Sequence, residues 1–157
     1  MKREELVKLL IEKEKTISTM ESCTGGGISN AITNIPDASK VIKFSAVTYS
    51  NEYKIKMGVN KDLIDKYSVY SMEVACDMAK TISNYTDSNY GVGVTGKLKK
   101  FDENNPFGED DVVFLAIYDK DNNTYLTDKI KLTKDTRRDN KEEIINIFVD
   151  KMLNLLK

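Results

Sequence analysis

Met20-Glu21-Ser22-Cys23-Thr24-Gly25-Gly26-Gly27 is the stretch whose reading decides the fold. A β-branched run, Thr16-Ile17-Ser18-Thr19, precedes it, and a helix-like run, Ile28-Ser29-Asn30-Ala31-Ile32, follows. The order is therefore strand, tight glycine turn, helix. A helix start presents unpaired backbone N–H groups and the positive end of the macrodipole. Such a turn can hold a phosphate, or it can set a hydroxyl nucleophile beside oxyanion donors. The chain has no histidine, so acid–base chemistry at this turn needs another base.

Working outward, Leu6, Leu9, Leu10 and Lys13 fall at helical spacing across residues 3–13. Strand one is expected near Thr16–Glu21, then a helix from Gly27 to about Ile35 that Pro36 stops. Val41–Ser50 reads as a long strand whose imperfect alternation implies cover on both faces. Short helical segments are expected at Asn51–Met57 and Asp62–Lys66. Ser71 can cap a helix with Glu73 in its first turn and Val74, Ala75, Met78, Ala79 and Ile82 as its apolar stripe. Tyr90–Gly96 reads as a central strand, 97–110 as a long surface loop, and Val112–Tyr118 with Thr124–Leu132 as a hairpin about the turn residues 119–123. Asp139 is expected to open the last helix, with Glu142 completing a capping-box-like pair and Ile144, Ile145, Phe148, Val149, Met152, Leu153 and Leu156 as its buried face. Helices alternating with strands predict an α/β fold: a mixed, mostly parallel sheet of about five strands with one antiparallel hairpin, covered on both faces.

The chain has 157 residues, 40% hydrophobic and 31% charged, which suits one domain with one real core. Lys plus Arg number 24 against 25 Asp plus Glu, so bulk charge gives no argument for nucleic acid or an anionic membrane. No apolar run approaches a membrane span, and the charged start, Met1-Lys2-Arg3-Glu4-Glu5, lacks a signal-peptide core; a cytoplasmic location is expected. Cys23 and Cys76 show no Cys-x-x-Cys spacing, and without histidine a zinc site of the usual kind has no ligand set. No metal or cofactor is expected.

Serine is a poor nucleophile until something takes its proton, and lysine is the best substitute for histidine. An exposed lysine has a pKa of roughly 10.4, and lowering it to about 7 takes roughly 4–5 kcal/mol of burial or neighbouring positive charge. Lys54 is the candidate, because Thr48-Tyr49-Ser50-Asn51-Glu52-Tyr53-Lys54 spans the end of a strand and the start of a short helix. In open α/β sheets ligands collect at the carboxyl ends of strands. Ser22, Tyr49-Ser50 and Thr95-Gly96 are three such ends, either converging on a site or simply ordinary strand exits. Cys23, at a helix start, competes with Ser22 and Thr24 as nucleophile. Glu21 and Glu52 read better as a helix cap or turn-amide acceptor than as a carboxylate pair. Arg137-Arg138 either grip a phosphate by forked hydrogen bonds or form a solvated charge pair.

These residues carry a specific resemblance. Glu21-Ser22-Cys23-Thr24-Gly25-Gly26 matches the E-S-C-T-G-G of the C-terminal domain of the competence/damage-inducible CinA family, the nicotinamide mononucleotide deamidases. Val47-Thr48-Tyr49-Ser50-Asn51-Glu52 with Lys54 matches its V-T-Y-S-N-E-x-K, Gly58-Val59 matches the following G-V, and Val94-Thr95-Gly96 resembles its strand ending in S-G or T-G. The likeness covers residues 1–157 as a single domain. It implies a three-layer α/β/α sandwich, often in homodimers, that hydrolyses the carboxamide of nicotinamide mononucleotide to nicotinate mononucleotide and ammonia. It also implies Ser22 as nucleophile, Lys54 as base, Tyr49 as an orienting partner, and turn N–H groups at Thr24, Gly25 and Gly26 as oxyanion donors. Asn51, Thr95, Gly96, Arg137 and Arg138 would complete the substrate contacts.

The chain departs from the family pattern after Gly96. A loop resembling G-I-A-G-P-x-G-G is replaced by Lys97-Leu98-Lys99-Lys100-Phe101 and acidic residues, and Asp111 stands about where a glycine is expected. Glycines let backbone approach a ligand closely; lysines instead bind phosphate as point charges. The family's G-D-R is loosely echoed by Asp135-Thr136-Arg137-Arg138. Two expectations follow: an active amidohydrolase, or a catalytically impaired or retargeted relative that binds a pyridine nucleotide.

Overall fold

The computed structural model describes residues 1–98 and 111–157. The elements run α1 (Lys2–Glu12), β1 (Ile17–Glu21), α2 (Gly27–Thr33), a 3-10 turn (Ala38–Lys40), β2 (Ser45–Val47), α3 (Asn51–Lys56), α4 (Lys61–Tyr67), α5 (Met72–Thr86), β3 (Tyr90–Gly96), β4 (Val112–Asp119), β5 (Thr124–Lys131) and α6 (Arg137–Leu156). The expected loop at 97–110 lies outside the described residues from Lys99 to Asp110.

The five strands form one sheet in the order β2-β1-β3-β4-β5. β1 pairs in parallel with β2 and β3, β4 runs antiparallel to β3, and β5 antiparallel to β4. All strands but β4 therefore point the same way, and the mixed sheet expected from the sequence is present.

Alternation along the strands sorts the core into two layers. Ile17 of β1, Tyr90, Val92 and Val94 of β3, and Val113, Leu115 and Ile117 of β4 pack with Leu6 and Leu10 of α1, Ile28 of α2 and Ile144 and Phe148 of α6. The opposite face carries Met20 with Val74, Met78 and Ile82 of α5 and Ile64 of α4. A satellite cluster, Ala75, Ala79, Ala116 and Tyr118, extends that face toward β4. The result is the expected three-layer sandwich. The stripes expected for α5 and α6 are buried throughout, and Ser71 caps α5, its Oγ accepting from Val74 N at 3.2 Å.

Glycine sets the spacing between β3 and α5. A Cβ on Gly91 would meet Ala79 O at 2.0 Å, and one on Gly93 would meet Ala75 O at 2.1 Å. Both obstacles are helix backbone, so relief requires the whole helix to lift. Gly93→Ala should destabilise the protein by about 3 kcal/mol, the upper end for an overpacked core. Chemical denaturation measures it; a loss under about 1 kcal/mol would show that α5 moves freely on the sheet.

Two expectations need correction. Val41–Ser50 is not a continuous strand, since only Ser45–Val47 is extended. Val41 and Ile42 are turned into the core by the preceding 3-10 turn, with Val41 N donating to Ala38 O at 2.9 Å. β2 is also an edge strand with Val47 exposed, so it is not covered on both faces. Asp139 does not open the last helix. Thr136 caps it, its Oγ1 accepting from Asp139 N at 3.1 Å, and Asp139 sits in the first turn.

Candidate active site at the carboxyl ends of β1, β2 and β3

The turn after β1 is built by backbone pairing and two left-handed glycines. Ser22 N donates to Val94 O at 3.1 Å, and Ser22 O accepts from Gly25 N at 3.0 Å. The nucleophile candidate is thus pinned to the central strand on one side and to its own turn on the other. Gly25 (φ +60°) and Gly26 (φ +92°) take the chain into α2 through conformations that side chains resist.

Glu21 occupies the start of that helix. Its carboxylate, fully buried, accepts from Thr24 Oγ1 (2.7 Å) and Ile28 N (2.8 Å) through Oε1, and from Thr19 Oγ1 (2.9 Å) and Ser29 N (2.9 Å) through Oε2. The N–H groups that a phosphate would have used are satisfied from inside the protein. The helix-cap reading of Glu21 holds. The other half of the proposed carboxylate pair, Glu52, lies on the surface in an i,i+4 pair with Lys56.

Lys54 comes to Ser22 from α3. Ser50 Oγ caps this helix by accepting from Tyr53 N at 3.2 Å, and the side chain of Lys54 turns inward at 1% exposure. Its Nζ donates to Ser22 Oγ at 3.1 Å and to Thr48 O at 2.7 Å. Burial pushes its pKa down to about 8. Roughly one tenth of the amine is then neutral at pH 7, about 300-fold more than for a free lysine. The partner that orients the amine is the Thr48 carbonyl, not Tyr49. Tyr49 is largely exposed, and its hydroxyl accepts from Arg137 Nη2 at 3.2 Å.

Cys23 also lines the cleft beside Ser22, but its burial works against a nucleophilic role. Burial pushes its thiol up to about 12, against a smaller opposing pull from Lys54, so the thiolate is scarce at neutral pH. The helix start that would have stabilised a thiolate already holds Glu21.

A cleft of about 390 Å³ opens over Ser22 and Lys54, within the range typical of small-molecule sites. Tyr49, Asn51, Thr95, Gly96 and Arg137 line it, as the sequence anticipated. Thr24, Gly25, Gly26 and Arg138 do not line it. Thr24 is spent on Glu21, Gly25 N on Ser22 O, and Arg138 lies in a separate groove with Thr136, Asp139 and Glu142. Among the described turn residues the N–H groups of Cys23, Thr24 and Gly26 have no backbone acceptor, and of these three residues Cys23, next to the nucleophile, lines the cleft. Arg137 stands in the first turn of α6, where the macrodipole disfavours a cation, so its placement is not explained by helix stability.

Sequence reasoning missed Tyr70, and it named Lys97 only within the run Lys97-Leu98-Lys99-Lys100 that replaces the family's glycine loop; both line the cleft. Lys97 is 5% exposed, its Nζ lying 5.0 Å from the centroid of the Tyr70 ring. No cluster of metal-ligating side chains occurs among the described residues, and no described helix is long and apolar enough to cross a membrane.

The family model of the CinA C-terminal domain matches residues 1–157. The chain belongs to the CinA family. A CinA-like protein of Endomicrobium trichonymphae is 36% identical over 147 residues, covering 91% of this chain and 33% of the relative. A relative from Clostridium kluyveri, named for competence-damage induction, is 42% identical over 122 residues, covering 76% of this chain and 30% of its own length. The chain thus spans about a third of the curated relatives it matches. Among solved structures, the competence/damage inducible protein CihA of Agrobacterium tumefaciens superimposes with a TM-score of 0.86 at 26% identity, covering 100% of this chain and 97% of that one. A CinA superfamily protein of Klebsiella pneumoniae gives 0.90 at 18% identity, covering 99% and 95%, a likeness of fold alone. The three-layer sandwich is therefore the CinA fold.

Proposed function

We propose that this CinA domain is an amidohydrolase that converts nicotinamide mononucleotide to nicotinate mononucleotide and ammonia. The contact between Ser22 Oγ and a buried, pKa-depressed Lys54 Nζ carries the reading. The family resemblance supplies the substrate.

In this mechanism the neutral amine of Lys54 takes the Ser22 proton as Oγ attacks the carboxamide carbon. The N–H group of Cys23 receives the developing oxyanion, such a donor being worth roughly 3–4 kcal/mol. Lys54 returns its proton to the leaving ammonia. Water, deprotonated by the same amine, then hydrolyses the acyl-serine, and Oγ recovers its proton. The Thr48 carbonyl holds the amine in line through both halves. By the same resemblance we propose a homodimer; we place it in the cytoplasm and assign the reaction no metal or cofactor.

The test is ammonia release from nicotinamide mononucleotide by purified protein, with Ser22→Ala as the blank. A base must be unprotonated to act, so kcat/KM should rise with pH and reach half its plateau at about 8, where Lys54 titrates. Turnover indistinguishable from Ser22→Ala would overturn the assignment. A flat profile between pH 6 and 9 would remove Lys54 as the base.

A further inference from the structure

Asn140 is a polar residue at a place where its helix calls for an apolar one. It stands one turn before Ile144, on the stripe that α6 buries, and its side chain is fully buried. Asparagine is a poor helix former, and burying its amide is unfavourable unless both ends are paired. Here both are. Oδ1 accepts from Lys134 N at 3.0 Å, and Nδ2 donates to Leu98 O at 2.8 Å. These partners fix the orientation of the amide, since a backbone N–H can only donate and a carbonyl only accept. The two segments so joined have no other tie at this point. Pairing of the β3 exit with β4 ends at Lys97 N, which donates to Val112 O at 3.1 Å. On the β5 side it ends at Leu132 N, which donates to Asp111 O at 2.8 Å. Just beyond each of these bonds, Asn140 takes over. The β3 exit gives Thr95 and Gly96 to the cleft lining, and the start of α6 gives Arg137. Asn140 itself does not line the cleft.

We propose that Asn140 is a positioning residue that clamps the β3 exit to the start of α6, so that Thr95, Gly96 and Arg137 meet the substrate as one rigid surface. A planar amide carries its donor and its acceptor on separate atoms at a fixed spacing, so the two segments cannot shift independently. A leucine would fill the same space and extend the apolar stripe, but it would leave them unlinked. The reacting groups are held by a different set of bonds. Ser22 N donates to Val94 O, Gly25 N to Ser22 O, and Lys54 Nζ to Thr48 O. None of these passes through Asn140. Removing the clamp therefore loosens the surface that binds the substrate while the nucleophile and its base stay in contact. Loss of binding made equally in the ground and transition states raises KM and spares kcat. The substrate named in this assignment rests on the amidohydrolase reading; the clamp does not.

The experiment compares Asn140→Leu, which keeps the volume, and Asn140→Ala, which truncates the side chain, with Val149→Ala. Val149 is buried on the same helix and does not line the cleft, so its variant reports lost stability alone. Two quantities are measured: the kinetics of ammonia release from nicotinamide mononucleotide, and hydrogen exchange of the ligand-free proteins. Both Asn140 variants should raise KM by about tenfold, the equivalent of one or two lost hydrogen bonds, with kcat within about twofold of wild type. Exchange at Lys97 N should quicken, while Ser22 N, bonded to Val94 O, should stay as protected as in wild type. Val149→Ala should leave KM unchanged. An unchanged KM in either folded Asn140 variant overturns the proposal. So does a fall in kcat as large as the rise in KM, or a matching rise in KM for Val149→Ala. If wild type itself releases no ammonia, the amidase reading falls and the exchange pattern decides the clamp: selective loosening at Lys97 N keeps it, and equal loosening at Lys97 N and Ser22 N removes it.

Discussion

Lys54→Met is expected to lower kcat/KM for ammonia release by about 10³-fold or more while making the protein more stable at pH 7. The first half follows from its role in every proton transfer of the proposed reaction, since a single positioned base contributes roughly 10²–10⁴ and here no histidine can substitute. The second half follows from linkage. The folded-state pKa of about 8 lies below the ordinary lysine value of 10.5, so holding the amine charged costs the native state on the order of 3 kcal/mol at and below pH 7. Methionine fills the same volume without a charge but leaves Ser22 Oγ and Thr48 O without their donor, which costs about 1 kcal/mol for each. A net gain of about 1 kcal/mol remains at pH 7. The sign then changes with pH in a defined window. Between about 8 and 10.5 the unfolded chain binds a proton that the native protein does not, so wild-type stability rises relative to Lys54→Met. Urea denaturation of both proteins at pH 7 and pH 10 measures the gap, which should shrink or reverse at the higher pH. A gap that stays constant would mean that the amine is not strained by burial, and the ground for assigning it as base would go.

The fold was largely legible because its elements obey local rules. The stripe on α5 has the helical period, its cap is a serine at the expected place, and the run from Tyr90 to Gly96 is too apolar to be anything but a central strand. The errors fall where a distant partner decides. Nothing local distinguishes Val41-Ile42 as core plugs from strand residues; their place is set by the turn at Ala38 and by the pairing of Val41 O with Ile17 N. The site divides the same way. Ser22 and Lys54 are 32 positions apart, and only the strand-end rule and the family likeness brought them together. Gly25 and Gly26 announced a turn but not where its N–H groups would point. The run from Lys97 stood out as a departure from the family pattern, but a lysine beside other lysines carries no mark of burial, and the anchoring of its neighbours to α6 and β4 is what turns Lys97 inward.

Glu21→Gln should destabilise the protein by about 3–5 kcal/mol, the range for breaking a buried charged network, even though the two side chains have the same shape. The reason lies in the partners. All four groups around the carboxylate are donors in the native arrangement, and two of them, Ile28 N and Ser29 N, are backbone amides that can only donate. Each amide faces a different carboxylate oxygen. Whichever way a glutamine is turned, its NH₂ meets one of these N–H groups head-on. A hydroxyl could rotate to accept; an amide cannot. The start of α2 also loses the negative charge that its dipole favours. For a domain of this size the change should lower the melting temperature by about 6–20 °C. Thr24→Val is the graded control, since it removes one donor and leaves the carboxylate three, for a loss of about 1 kcal/mol. The effect should reach the chemistry as well. Glu21 fixes the turn from Thr24 to Ser29, and Ser22 O is held by that turn through Gly25 N, so any relaxation displaces the nucleophile from Lys54. Residual Glu21→Gln activity, measured well below its melting point, should therefore fall in kcat more than it rises in KM. Stability within 1 kcal/mol of wild type would show that the helix start does not depend on this charge.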